Sequence, residues 1–265
     1  MPDESSEVNR IFAEGKRLAN ITKDQCDPDQ FICKKNKALR LCLKAGRIFA
    51  KEGQYAKAGQ AFSKAGNVAK NDLQNYMVAM HSYDQAGNCT LKSEPDGAPI
   101  KYERAVEMLI KMGDDKGVIE YTEEVATKLS HPRIRKELLT EFYENVLQIH
   151  EESSPKDLLN RYKIHHGEYF FSMRNYSRSM KLFKELVLAN VGKDYDKEIT
   201  EPCLIYSCLM AILTKGDEAL KYIGLFCSKF KDFKESPQYL LIIRILKSIQ
   251  NQNFDELADA VCHNA

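Results

Sequence analysis

The stretch LCLKAGRIFAKEGQYAKAGQAFSKAG, Leu41 to Gly66, decides the fold of this chain. Its apolar residues return at three and four: Leu41, Ala45, Ile48 and Phe49 before Gly53, then Ala58, Ala61, Phe62 and Ala65 after it. That is the period of amphipathic helices, and nothing in the stretch alternates as a strand would. Ala45-Gly46 and Ala65-Gly66 lie one helix plus a turn apart, and Ala86-Gly87 continues the series, so a helix pair occupies about 40 residues. The phrase Tyr55–Phe62 is echoed at Tyr176–Phe183 and more distantly at Phe254–Ala260. Ala58, Ala61 and Ala65 let neighbouring helices approach closely, while Phe49, Tyr55 and Phe62 fill the space between layers.

The same periodicity runs through nearly the whole chain, punctuated by proline and glycine. Asp27-Pro28-Asp29-Gln30 offers an N-cap, a proline at the first helical position and a capping-box partner, and Ser154-Pro155 and Ser236-Pro237 repeat the logic. With breaks at Gly53, Gly113, Gly192 and Gly216, the pattern predicts thirteen helices over 4–22, 28–52, 54–70, 72–90, 99–112, 114–129, 132–150, 155–173, 175–191, 200–214, 216–230, 236–250 and 253–263. One long surface loop is expected from Asn88 to Lys101, where Ser93, Pro95, Gly97 and Pro99 cluster. The fold class that follows is all-α, a TPR-like stack of antiparallel helix pairs. The period exceeds the roughly 34 residues of ordinary TPRs and their Trp-Leu-Gly signature is missing, so the array is a variant one.

Several function classes find no support. Met1 to Arg10 carries Asp3, Glu4 and Glu7 and no apolar run, so a secretory signal or basic transit peptide is not expected and the chain should be cytoplasmic. The longest apolar stretch, Cys203 to Leu213, falls well short of the roughly 20 residues of a membrane span. Eight cysteines with no CxxC pair read as reduced structural thiols. GxxxxGK[ST], HExxH, GxSxG and a GxGxxG after a strand are all absent, and His165-His166, adjacent on a helix, point too far apart to share a metal. No enzyme activity, metal or cofactor is therefore expected.

Charge is where the sequence speaks about partners. The net charge is only +1, yet Lys34 to Lys70 holds ten basic residues against the single acid Glu52. Within that window Lys37, Arg40, Lys44, Arg47 and Lys51 step by three and four onto one helix face, opposite Ala38, Leu41, Cys42, Ala45, Ile48 and Phe49. Lys57 and Lys64 extend the stripe to the next helix. Like charges at this spacing repel by a few tenths of a kcal/mol per pair, about 0.2–0.5, and an acidic partner would relieve them. Nucleic acid is disfavoured, because the aromatic residues of the window fall on the buried side.

A family resemblance agrees. Leu41–Phe49, Gly53–Phe62 and the phrase Ser82-Tyr-Asp-Gln-Ala-Gly-Asn88 resemble, in order and spacing, the amino-terminal half of the soluble NSF attachment proteins (SNAPs). Tyr239 to Val261 is similar, more loosely, to their late helix pair, and about 90 to 160 matches poorly. The resemblance implies a right-handed superhelical stack of antiparallel helix pairs over residues 1–190 closed by a C-terminal helical bundle over 191–265, continuous with it. It likewise implies a non-enzymatic adaptor that lies along the acidic exterior of a SNARE helical bundle and recruits the NSF-type AAA ATPase. It also implies peripheral membrane contact near the junction of helices one and two, where Phe31, Ile32, Lys34 and Lys35 stand; Phe31 equally falls on the core face. Family members end in an acidic tail with a final leucine that engages the ATPase, whereas Cys262-His-Asn-Ala265 closes this sequence, so weak stimulation of the ATPase, or competition with SNAPs, is expected. The competing reading is a TPR-like interaction scaffold unrelated to SNAREs.

Overall fold

A computed structural model describes residues 4–130, 134–153, 156–189, 191 and 199–262. They divide into two compact units, Met1–Ser154 and Pro155–Ala265. The expected boundary at 190/191 falls beside residues 190 and 192–198, which lie outside the described residues.

The first unit comprises α1 (Glu4–Ala19), α2 (Pro28–Lys51), α3 (Tyr55–Asn71), α4 (Tyr76–Ser93), α5 (Pro99–Met112), α6 (Asp115–Leu129) and α7 (Lys136–Ser153). Each of α1 to α6 packs on the next, and α5 packs on α7 as well. The second comprises α8 (Lys156–Ser172), α9 (Tyr176–Ala189), α10 (Thr200–Lys215), α11 (Ala219–Lys229), α12 (Lys231–Lys234), α13 (Pro237–Gln250) and α14 (Phe254–Cys262). Its core gathers Phe183, Leu204, Met210, Ile223, Phe233 and Ile242 around the buried thiols of Cys203, Cys208 and Cys227. No strand occurs among the described residues, and the chain is an all-α array of TPR-like helix pairs.

The Ala-Gly series has a definite structural task. A Cβ on Gly46 would meet the Phe62 ring at 2.9 Å, one on Gly66 the Tyr83 ring at 2.7 Å, and one on Gly167 the Phe183 ring at 2.6 Å. Gly87 faces Tyr102 in the same way, more tightly still. Each glycine thus lets an aromatic of the following helix lie flat on its backbone. Where that aromatic is tyrosine, the residue after the glycine is asparagine: the Tyr83 hydroxyl donates to Asn67 Oδ1 (2.8 Å) and the Tyr102 hydroxyl to Asn88 Oδ1 (3.0 Å). Where it is phenylalanine, with no hydroxyl to satisfy, the next residue is Arg47 or Glu168. Buried hydroxyls need such a partner.

The turns repeat too. Gly53, Gln74, Gly113, Arg174 and Gln252 are all left-handed (φ between 51° and 74°), and each sits two residues before a helix. The intervening residue is the N-cap, and the side chains of Asn75, Asp114 and Asn253 accept from Val78, Gly117 and Glu256 N–H. Its own N–H reaches back to close the preceding helix, as from Gln54 to Phe49 O, Asp114 to Leu109 O, and Asn253 to Ser248 O.

Four local expectations need correction. Helix α4 starts at Tyr76 rather than 72, since the left-handed Gln74 must precede the Asn75 cap. The long loop at 88–101 is not one: α4 runs to Ser93, and Pro95–Gly97 forms a single 3-10 turn that leads straight into Pro99. The turn residues there punctuate two helices instead of separating them. A fourteenth helix, α12, has only one turn, too short to carry a period, and is pinned by the fully buried Phe233. Asp27 makes no side-chain cap to the α2 backbone; Gln30 Nε2 donates to its carboxylate at 3.4 Å instead.

Candidate partner-binding face

Helix α2 owes its straight run to Pro28 at the first position and to twenty-four residues without an internal proline. Its inner face, Phe31, Ala38, Leu39, Cys42, Ala45 and Phe49, is buried, and burial pushes the Cys42 thiol up to about 11. Cys203 likewise rises to about 12, so both are protonated packing groups at neutral pH. The opposite face displays Lys37, Arg40, Lys44, Arg47 and Lys51, all exposed. Among the described residues Arg40, Lys44, Arg47 and Lys51 make no ion pair or side-chain hydrogen bond. Of these five on α2, Lys37 is the one in an ion pair among the described residues, 3.8 Å from Glu14 of α1. Arg17, hydrogen-bonded to the same carboxylate, and then Lys37 hold Glu14 below the usual carboxylate range. Lys44 and Lys51 flank a shallow groove shared with Glu7 and Ile11 of α1.

The two outlying cations are tied down. Lys57 is exposed but sits 5.5 Å from the centre of the Phe49 ring, and Lys64 is half-buried, its ammonium donating to Asn20 Oδ1 at 2.7 Å. The rest of the basic window is also less free than its composition suggests. Lys70 is paired with Glu107 of α5 at 2.8 Å and Lys35 with Asp72 at 3.0 Å, acids that lie outside the window in sequence. The face is therefore four free cations on α2 with Lys37 and Lys57 at its edges.

Of the four residues expected at a membrane, two are withdrawn from the surface. Phe31 is 4% exposed and Lys35 3%. The Lys35 ammonium donates to Ala19 O at 2.6 Å and lies 5.0 Å from the Phe31 ring centre, so it is a buried clamp between the end of α1, α2 and the end of α3. Ile32 remains exposed at 45% and Lys34 half-buried.

Two polar features were not read from the sequence. Asp84 accepts from Tyr121 Oη (3.1 Å), Lys128 Nζ (3.3 Å) and Asn88 Nδ2 (3.0 Å), bridging α4 to α6. A polar cleft brings Lys64, Gln60 and Ser63 of α3 opposite Thr90 of α4 and Lys101 of α5. Both are assembled from residues some two helices apart, and no local spacing announces them. Among the described residues no group of three or more His, Cys, Asp or Glu side chains is placed to hold a metal ion. His165 and His166 have ring centres 6.4 Å apart.

The architecture and this face describe an all-helical repeat array with a basic exposed face on α2. The family model described as "Soluble NSF attachment protein, SNAP" matches residues 30–263, most of the chain, and the chain belongs to that family. The SNAPs are a family of adaptors, not enzymes. No curated protein matches the chain. Among solved structures a de novo designed helical repeat protein, DHR64, is similar over 87% of this chain and 97% of its own, at 16% identity and a TM-score of 0.25.

Proposed function

We propose that this chain is an adaptor that docks the basic face of α2 on the acidic exterior of a SNARE helical bundle and couples that bundle to the NSF-type ATPase. The observation that carries the docking is the unpaired state of Arg40, Lys44, Arg47 and Lys51 on one exposed helix face. Family membership supplies the partner class. No helix among the described residues is long and apolar enough to cross a membrane, so work at a cytoplasmic membrane surface would be peripheral. Ile32 and Lys34 are the residues left to touch such a surface.

Lys44→Glu with Arg47→Glu tests the docking step. Exposed substitutions of this kind change stability by no more than about 0.5 kcal/mol each, so the fold survives. Binding to an assembled SNARE bundle should be lost in the double variant, and in the parent it should weaken as salt rises past physiological strength, where the screening length is roughly 8 Å. Unchanged affinity in the variant removes the stripe from the mechanism. A disassembly assay with purified ATPase and preformed SNARE complex tests the coupling step. Disassembly with this chain as the sole adaptor supports it; binding without disassembly refutes it and favours the weakly stimulating or competing adaptor expected from the sequence.

A further inference from the structure

The second unit contains a pocket that the adaptor reading does not use. It is a cavity of about 410 Å³ between α9, α10 and α11, within the range of roughly 300–1,000 Å³ usual for small-molecule sites. Met180 and Val187 of α9, Ala211 of α10 and Tyr222, Leu225 and Phe226 of α11 supply apolar walls. Leu225 and Leu188 at its lip are 53% and 52% exposed and give the mouth an apolar rim.

The polar groups around it share one sign. Lys184, Lys215 and Lys229 come from three different helices, all exposed, and no acidic residue lines the pocket among the described residues. Lys215 is held 5.3 Å from the centre of the Tyr222 ring. Ser207 also lines the pocket, and its buried hydroxyl has no hydrogen-bond partner among the described residues. Ser82, Thr122 and Ser248, also buried on helices, donate to the carbonyl four residues back, whereas Ser207, like Thr200, has no such bond. A buried hydroxyl left in this state has an O–H free to donate to a ligand.

We propose that this pocket binds a long-chain carboxylic acid, its acyl chain against the α9–α11 walls and its carboxylate held by the lysines at the mouth. The walls lack the spaced donors and acceptors that would orient a sugar, a base or a peptide backbone. An unbranched hydrocarbon asks for none, and its single anionic end matches an all-cationic lip. A pocket of this volume takes one chain, whereas a docked helix needs a groove running for several turns. The proposal is independent of SNARE binding.

The test is calorimetric titration of the full chain with oleate below its micellar concentration, beside oleyl alcohol and octanoate. Oleate should bind saturably at one site per chain, with the alcohol and the short acid each weaker by at least about tenfold, equivalent to 1.4 kcal/mol. Lys184→Gln with Lys229→Gln should bring oleate down to the level of the alcohol and leave the alcohol unchanged. Leu225→Asp, an exposed change that leaves the melting temperature in place, should weaken both. Absent or unsaturable oleate binding overturns the proposal, as does binding that ignores all three substitutions, which would be adsorption to exposed leucines. Binding of an acidic amphipathic peptide in a form that Leu225→Asp abolishes, with no oleate binding, would also overturn it and assign the pocket to a protein partner.

Discussion

Gly66→Ala and Gly224→Ala are the same chemical change in two helices, and the structure assigns them opposite signs. Alanine is the better helix former by about 0.8–1 kcal/mol, and neither glycine has a positive φ, so propensity favours both substitutions. At Gly224 a Cβ meets nothing within 4 Å, so the full gain should appear. At Gly66 the Cβ would lie 2.7, 2.8 and 3.0 Å from Cε1, Cδ1 and Cζ of Tyr83, well inside the roughly 3.5–4.0 Å of an ordinary carbon contact. The ring cannot swing away, because it is 1% exposed and its hydroxyl is tied to Asn67 at 2.8 Å. Overpacking of a closed site costs about 1–3 kcal/mol. Loss of the tether adds about 1 kcal/mol. After subtracting the propensity gain, Gly66→Ala should destabilise by about 1–3 kcal/mol while Gly224→Ala stabilises by about 1 kcal/mol.

The chain has no tryptophan, so urea unfolding is best followed by far-ultraviolet circular dichroism. Tyr83→Leu should remove most of the penalty of Gly66→Ala, giving a coupling of about 1 kcal/mol or more in a double-mutant cycle. If Gly66→Ala raises stability as Gly224→Ala does, the aromatic does not rest on the glycine and the account of the repeat is wrong.

Lys35→Met leaves Asp72 and Ala19 O without their buried donor, and calorimetry should show a loss of about 2–4 kcal/mol, below the full value for a buried pair because Asp72 is 23% exposed. Ile32→Ser should move stability by less than about 0.5 kcal/mol; if Ile32→Ser is as costly as Lys35→Met, the placement of the α1–α2 junction is wrong. Asn88→Ala loses its bonds to both the Tyr102 hydroxyl and Asp84 and should cost about 2 kcal/mol in the parent, but about 1 kcal/mol less in a Tyr102→Phe background, where only the Asp84 bond is left to lose; equal costs in the two backgrounds would show that the pair does not interact. Burial lowers His150 to about 4, so the unfolded chain binds the extra proton between that value and its ordinary 6.5. The stability contributed by neutral His150 is complete above the upper limit and is lost as pH falls through this window, at up to about 1.4 kcal/mol per unit. His150→Phe should flatten that part of the stability profile, and an unchanged slope would refute the assignment.

What was legible in the sequence was whatever is local. Helix boundaries at Pro28, Gly53, Pro99, Gly113 and Pro237 follow from a proline or a left-handed residue within a few positions, and the boundary of α4 slipped because Gln74 adopts a conformation usually announced by glycine. The Ala-Gly series was visible as a period, but its task depends on an aromatic in the following helix, as Gly66 depends on Tyr83. Charge was the least legible property. A count over Lys34–Lys70 treats ten cations alike, while the fold assigns Lys35 to Asp72, Lys70 to Glu107 and Lys37 to Glu14 across separations no helical spacing encodes. The stripe itself was readable because its members share one helix and its geometry needs no partner.

That partition of the cations bears on how an adaptor array is built. The paired ones bridge helices: Lys35 joins α2 to the end of α3, Lys70 joins α3 to α5, and Lys128 joins α6 to Asp84 of α4. Each lies at least three-quarters out of solvent, where an ion pair fixes the register of neighbouring helices. Among the described residues Arg40, Lys44, Arg47 and Lys51 bridge nothing, although Glu7 of α1 stands near enough to share a groove with two of them. Their mutual repulsion across three neighbouring spacings costs the folded helix of order 1 kcal/mol, with no structural return. Apolar packing through Phe31, Cys42, Ala45 and Phe49 on the other face holds α2 in place regardless. The face is thus electrostatically frustrated in the isolated chain while the helix bearing it is secure. An acidic partner removes the frustration without needing the array to move.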